Sequence, residues 1–430
     1  MTAINDPITL PCGATLKNRL CKAAMTEGLG DDHNRATERH VTLYQRWARG
    51  GAGLLLTGNI MVDRRYLERP GNVAIDGPQT AEQMAALGRY ASAATEHGAH
   101  IWAQISHAGR QSPKIVATEP VGPSAIELAL PGGQFGRPRA LSAEDIEDVI
   151  NRFVEAARVV QEAGFTGVQI HAAHGYLVSE FLNPLTNLRR DEWGGSLENR
   201  ARLLLRIVSS VRDKVGPDFP ISVKLNSSDF QKGGFSLEDC LQVVRWLNDT
   251  SIDLLEISGG NYEQPRMMGI EGMEPVFEEG ISASTRAREA YFIAYAERIA
   301  EIATMPLLVT GGFRSRAGMD EALTSGAADV IGLGRPLCVD TALPEQLLSG
   351  DVASAHSYEK ELAIGPGILG PGSGIPLIKA LNGFGAMAFF YQNIFRLADG
   401  LPAKRKMALL PAFIKHQSHE AKAAKALKGR

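Results

Sequence analysis

The chain has 430 residues, 44% hydrophobic and 22% charged, with a formal net charge of −3. This is enough for one large α/β core with additions, and the near-neutral balance gives no reason to expect a nucleic-acid partner. The cysteines Cys12, Cys21, Cys240 and Cys338 contain no C-x-x-C spacing, so neither a zinc site nor an iron–sulfur cluster is expected, and scattered thiols fit a reducing cytoplasm.

The start, Met1-Thr2-Ala3-Ile4-Asn5-Asp6, lacks the basic-then-apolar order of a secretion signal. No uninterrupted apolar span is long enough to cross a bilayer, so no membrane partner is expected. Short apolar runs then alternate with amphipathic helical patterns up to about residue 340. The first four runs are Arg19 to Thr26, Gly53 to Asn59, His100 to His107 and Gly167 to Ala173. The next four are Ile221 to Asn226, Asp253 to Gly260, Pro306 to Gly312 and Asp329 to Arg335. Helical patterns such as Ala81 to His97, Ser142 to Ala163, Ser196 to Val215 and Ser236 to Thr250 lie between them. Eight strands separated by helices predict a parallel sheet that closes most easily as a (β/α)8 TIM barrel, with a doubly wound open sheet as the alternative. Ser142-Ala143-Glu144-Asp145 and Ser236-Leu237-Glu238-Asp239 read as helix starts, and Ser196 caps a third helix with Glu198 well placed for its dipole.

After the third strand, Gln111 to Ala140 is rich in proline and glycine. In a barrel this insertion sits on the C-terminal rim, as a wall of the site or as a plain surface loop. Past Pro344 the barrel pattern ends, which divides the chain into a barrel over 1–345 and a C-terminal helical extension over 346–430. Within the extension, Gly365-Pro366-Gly367-Ile368-Leu369-Gly370 matches G-x-G-x-x-G only formally, because it contains proline and more Gly and Pro follow it instead of a helix. The apolar segment Ile375 to Leu397, interrupted by Lys379 and Arg396, predicts packing on the barrel or on a second copy in a homo-oligomer. A peripheral membrane role is the weaker reading of that segment, helped by the basic tail Lys404-Arg405-Lys406 and Lys415 to Arg430, whose last ten or so residues read as a solvated or disordered helix.

The chemistry concentrates at predicted strand ends. Ile170-His171-Ala172-Ala173-His174-Gly175-Tyr176 places two imidazoles and a phenol at the end of an apolar strand. One histidine there reads as a satisfied core residue, whereas all three projecting to one mouth are parts for polarising a carbonyl and delivering a proton. Val309-Thr310-Gly311-Gly312-Phe313-Arg314 and Gly332-Leu333-Gly334-Arg335-Pro336 end the seventh and eighth strands, where such barrels bind phosphate; tight turns without a ligand are the bland reading. Thr26, Gln104 and Lys224 end other strands, and a lysine inside an apolar strand requires a partner.

These residues resemble the old yellow enzymes, flavin-dependent NAD(P)H oxidoreductases and ene-reductases. The likeness runs from Leu16-Lys17-Asn18-Arg19 to Arg335-Pro336. It is most specific at His171 to Tyr176, Asn183-Pro184-Leu185, Arg190-Asp191-Glu192 and Gly194 to Arg200, with support from Ala103 to Arg110. The resemblance implies noncovalent FMN at the barrel mouth, its phosphate at Gly311, Gly312, Gly334 and Arg335. It implies Thr26 at the flavin C4 carbonyl, Gln104 at the pyrimidine edge, and close contacts from Ala24, Met25 and Asn59. Lys224 stands where the family usually has arginine, a point charge without the planar fork. His171 and His174 form the substrate pair where other members have His and Asn, and Tyr176 is the implied proton donor. An aromatic residue that some members carry after the first strand is replaced by Glu27-Gly28-Leu29, and Tyr262 is a candidate substitute.

The function so implied is ping-pong reduction of the activated C=C bond of unsaturated carbonyl or nitro compounds, with NADH or NADPH as hydride donor. The alternatives are an FMN-dependent dehydrogenase or demethylase oxidising a small organic substrate, a non-catalytic flavin-binding partner protein, and a flavin-free phosphosugar barrel.

Overall fold

The computed structural model describes residues 2–128, 130, 133–260 and 292–428. Eight parallel strands form its centre: β1 (Leu20–Lys22), β2 (Leu54–Leu56), β3 (His100–Ser106), β4 (Gly167–Ala172), β5 (Ile221–Asn226), β6 (Leu254–Ser258), β7 (Leu307–Thr310) and β8 (Val330–Leu333). Each pairs with the next in sequence, and β8 pairs with β1, Ile331 opposite Leu20, so the sheet closes on itself. The expected (β/α)8 barrel is therefore observed, and the open sheet is excluded.

Strand alternation decides what faces inward. On β4, Val168, Ile170 and Ala172 join the core between barrel and helices, so Gln169 and His171 face the interior. On β5 the same rule turns Ser222, Lys224 and Asn226 inward while Ile221, Val223 and Leu225 pack outward. The lower interior is apolar: Leu54, Trp102, Leu254, Leu308 and Val330 meet Ile8, Leu10 and Leu16 of a short antiparallel hairpin that closes the bottom. This hairpin, Ile8–Thr9 with Thr15–Leu16, is too short for a periodicity to announce it. Polar side chains rise towards the other end of the barrel, which makes that end the place for chemistry.

The expected helix starts are present. Ser142 Oγ accepts from the Asp145 amide at 3.1 Å while Asp145 accepts from the Ser142 amide at 2.9 Å. Ser236 and Asp239 repeat the arrangement, and Ser196 Oγ accepts from the Asn199 amide. Within the rim insertion, Val121–Gly122 pairs with Arg139–Ala140, and Gln111 Nε2 donates to the His174 carbonyl at 3.1 Å. The insertion is thereby tied to the turn that carries the histidines.

The extension forms two helices, Pro376–Ala398 and Leu409–Lys428, packed on each other and on the barrel. Asp399 accepts from Arg39 Nε at 2.7 Å, and Glu420 accepts from Arg69 at 2.5 Å. The tail is the solvated helix expected over most of its last positions, but one face of it is packed. It is a helix whose Ala424 is buried and whose Leu427 packs beside Met61, Leu67, Ala74 and Ala108. Leu427 thereby meets the loops after β2 and β3, while Lys422, Lys425 and, earlier in the helix, Ile414 are exposed. Gly367–Leu369 is a single 3-10 turn, in keeping with the turn reading of that glycine motif. Among the described residues no helix is long and apolar enough to cross a membrane.

Candidate active site

The turn leaving β4 is held in an unusual backbone shape. His174 has φ +64° and Gly175 φ +77°, two successive left-handed residues, which strains the non-glycine one. Asn226 Oδ1 accepts from the His174 amide at 3.2 Å and Gln111 donates to its carbonyl, so residues from two other strand ends fix the turn. The result gathers the three rings. His171 lies 5.1 Å from His174 and 4.8 Å from Tyr176 between ring centroids, both edge-on.

Both imidazoles are neutral. Burial and then the Lys224 ammonium hold His171 well below the usual histidine range; burial, Lys224 and His171 do the same to His174. His171 Nδ1 accepts from the Ala173 amide at 3.2 Å, which assigns its proton to Nε2. His174 Nε2 lies 2.6 Å from Ser258 Oγ at the end of β6.

Beneath them runs a buried polar chain. Gln104 Nε2 donates to Gln169 Oε1 at 2.6 Å, and Gln169 Nε2 donates to Glu256 Oε2 at 2.9 Å. Glu256 Oε1 is 2.9 Å from Lys224 Nζ, both side chains nearly wholly enclosed. Lys224 thus has the partner that a buried lysine needs. Glu256 stands opposite Lys224 in the β5–β6 register, a pairing that appears only once the strands are joined. On the β1 side, Thr26 donates its hydroxyl to Glu68 Oε2 at 2.8 Å, and Asn59 donates to the same oxygen at 2.9 Å. The only hydroxyl hydrogen of Thr26 therefore serves Glu68 here, a loop residue that no local signal marks.

A cavity of about 720 Å³ opens over the mouth. It is lined by Ala24, Met25, Thr26, His174, Lys224, Gly311, Gly312, Gly334 and Arg335. Asn59, Gln104, His171 and Tyr176 are buried behind that surface. Tyr262 lies outside the described residues. The residues present fit an FMN. Gly311 and Gly312 take φ +126° and +90°, baring backbone at the β7 end. A Cβ added at Gly334 would meet only Met25 Sδ, at 3.9 Å, so the space there is open. The buried Thr310 Oγ1, in the cavity wall, has no hydrogen-bond partner among the described residues. Arg314 and Arg335 supply guanidinium charge beside these glycines. Glu359, from the extension, accepts from Arg314 at 2.5 Å and lies 3.7 Å from Arg335. Burial raises its pKa and the two arginines outweigh that, leaving it below the usual glutamate range and ionised.

Residues 4–352 match the NADH:flavin oxidoreductase / NADH oxidase family. The chain is 38% identical to the NADH-dependent flavin oxidoreductase iliE of Hypocrea jecorina (strain QM6a), over 80% of this chain and 88% of that one. It is 32% identical to the NADPH dehydrogenase of Geobacillus sp. (strain WCH70), over 84% and 98%. Among solved structures it resembles the old yellow enzyme homologue of Zymomonas mobilis with a TM-score of 0.68 and 27% identity, covering 82% of this chain and 94% of that one. The match over residues 4–352, with relatives of this identity and coverage, makes the chain a member of the NADH:flavin oxidoreductase / NADH oxidase family, an FMN-dependent NAD(P)H oxidoreductase.

Proposed function

We propose that this enzyme reduces the activated C=C bond of α,β-unsaturated carbonyl or nitro compounds, with NADH or NADPH and the acceptor taking turns in one site. The observation that carries this reading is the pair of neutral imidazoles beside a phenol on one turn. FMN, which Gly311, Gly312, Gly334 and Arg335 would hold, would supply the hydride-transfer chemistry between reduced nicotinamide and the β carbon of the acceptor.

His171 presents Nε2–H, since its other nitrogen is occupied by the Ala173 amide. A hydrogen bond from it to the acceptor oxygen strengthens as negative charge grows there, and one such donor is worth about 3 kcal/mol. His174 shares its Nε2 with the Ser258 hydroxyl and adapts as a donor without becoming charged. Low basicity matters for both: a cationic imidazole would hold the product enolate instead of letting the α carbon be protonated. Tyr176 is the proton donor in this scheme. Lys224 and Glu256 form a charge-balanced pair at the barrel mouth, and Lys224 with Gln104 would serve the pyrimidine side of a bound flavin. Tyr262 is retained as a further substrate contact. We place the enzyme in the cytoplasm, on its four unpaired cysteines.

The test is an anaerobic visible spectrum of wild type and Tyr176→Phe. In both, NADH or NADPH should bleach the flavin band at similar rates. Return of the band with 2-cyclohexenone should be slower in the variant by about 100-fold or more. Unchanged enone turnover in Tyr176→Phe removes the phenol from its role. A wild-type band that nicotinamide bleaches and no electron-poor alkene restores refutes the ene-reduction, and a band that nicotinamide cannot bleach favours an organic electron donor.

A further inference from the structure

The helix Pro376–Ala398 lies beyond the family match, which ends at residue 352, yet it lines the site. Its cavity-facing positions begin at Lys379 and Asn382, continue through Gly383 and Ala386, and end with Met387, Phe390, Tyr391 and Ile394. These spacings of three and four residues trace one face of one helix. The face also changes character along its length: cationic and polar at the start, small in the middle, apolar and aromatic at the end. Lys379 and Tyr391 are twelve residues apart, roughly 18 Å along the axis at about 1.5 Å per residue. The barrel lines the same cavity with Arg314 and Arg335 and with Met25 and Cys338, whose sulfurs lie 3.4 Å apart.

This wall is firmly anchored. Asn382 Oδ1 accepts from the Ile364 amide and its Nδ2 donates to the Leu369 carbonyl, so that side chain is spent on the extension itself. Tyr391 stacks under the Arg69 guanidinium at 4.2 Å and on His416 at 4.7 Å. The charges at the phosphate end also call for a supplement. Glu359 offsets part of the positive charge of Arg314 and Arg335. Lys360 and Lys379 restore the surplus, and neither has an ion-pair partner among the described residues.

We propose that the C-terminal extension is the second half of the FMN site. Lys379 serves the cofactor's phosphate, and Ala386 to Ile394 cover its apolar ring. The barrel contributes one wall and the extension the other, within one chain. This rests on FMN being the cofactor, and the test separates the two ideas.

FMN-stripped full-length protein is titrated with FMN and with riboflavin, which lacks the phosphate, and binding is read by quenching of flavin fluorescence. The variants are Lys379→Glu, Ala386→Leu and, as the barrel control, Arg335→Ala, each checked for native helix content by circular dichroism. Lys379→Glu should weaken FMN about tenfold or more and leave riboflavin within about twofold, the size expected for a charged hydrogen bond. Ala386→Leu should weaken both ligands, because the added side chain enters the ring space. Wild-type affinity for FMN in both extension variants, with loss in Arg335→Ala, overturns the proposal and leaves the barrel cradle standing. Equal loss of FMN and riboflavin in Lys379→Glu removes the lysine–phosphate contact. Failure of the wild type to bind either flavin overturns the cofactor reading and the proposal with it.

Discussion

Glu256→Gln is the sharpest single perturbation of the barrel interior. The carboxylate lies 2.9 Å from Lys224 Nζ and also accepts from Gln169 at 2.9 Å. Glutamine has nearly the same shape and can keep the Gln169 contact. What it removes is the charge that balances an enclosed ammonium. Breaking one side of a buried ion pair costs about 3–5 kcal/mol, because the other charge stays desolvated. That is a large part of the roughly 5–15 kcal/mol that holds a folded protein together. With a urea dependence of about 3 kcal/mol per molar, the unfolding midpoint should fall by about 1 M or more. Removing both charges in Lys224→Met with Glu256→Gln should recover most of that loss, to within about 1 kcal/mol of wild type. The assay is urea unfolding of flavin-saturated wild type, both single variants and the double, followed by far-ultraviolet circular dichroism and treated as a double-mutant cycle. A Glu256→Gln midpoint equal to wild type, or a double variant no more stable than the worse single, would refute the claim that these two charges depend on each other.

Three other outcomes follow from the geometry. Asp229 accepts from Asn183 and Asn226 at 2.6 and 2.7 Å, and burial outweighs these bonds and raises its pKa from 3.8 to about 7. Its protonated form is the one the fold favours, so its contribution is full below pH 3.8 and is lost as pH rises through about 7. Asp229→Asn, neutral at every pH, should match wild type most closely below pH 3.8 and gain stability relative to it as pH rises through about 7, in urea midpoints taken at each pH. Glu420→Gln leaves the nearly buried Arg69 without its carboxylate and should loosen the last helix by about 3 kcal/mol. Hydrogen exchange over residues 409–427 should accelerate while β4 and β5 stay protected. Gly332→Ala would bring a Cβ within 1.9 Å of Thr310 Oγ1, so the variant should lose stability and FMN affinity together, read by thermal melting and flavin fluorescence.

The sequence carried the barrel because alternation and helix caps repeat along it: Val168, Ile170 and Ala172 against Gln169 and His171 is a readable strand, and Ser142 and Ser236 are readable starts. It carried the His171–Tyr176 turn because those residues are contiguous. Boundaries were less legible. The run Arg19 to Thr26 contains only three strand residues, since Ala23 onward leaves the sheet to line the cavity. Glu256 needed the pairing register, which joins two strands that sequence alone lists separately. Glu68 and Glu359 meet Thr26 and Arg314 across long stretches of chain, and no local pattern encodes such contacts. The helix after Pro376 reads as apolar either way, because periodicity reports that a face is shielded from water and is blind to whether side chains or a cofactor shield it.

The seam between β1 and β8 has a further meaning for how the molecule is made. Leu20 finds its neighbour Ile331 only after more than three hundred residues have been added, and the helix over the mouth is later still. Until then, a chain emerging from the ribosome presents two unpaired strand edges and an unfinished mouth. Such edges invite pairing with other chains, and joining ends so far apart carries a large loop-closure entropy. Floor and seam alike therefore wait for β7 and β8, since Leu308 and Val330 complete the apolar cluster that the N-terminal hairpin covers.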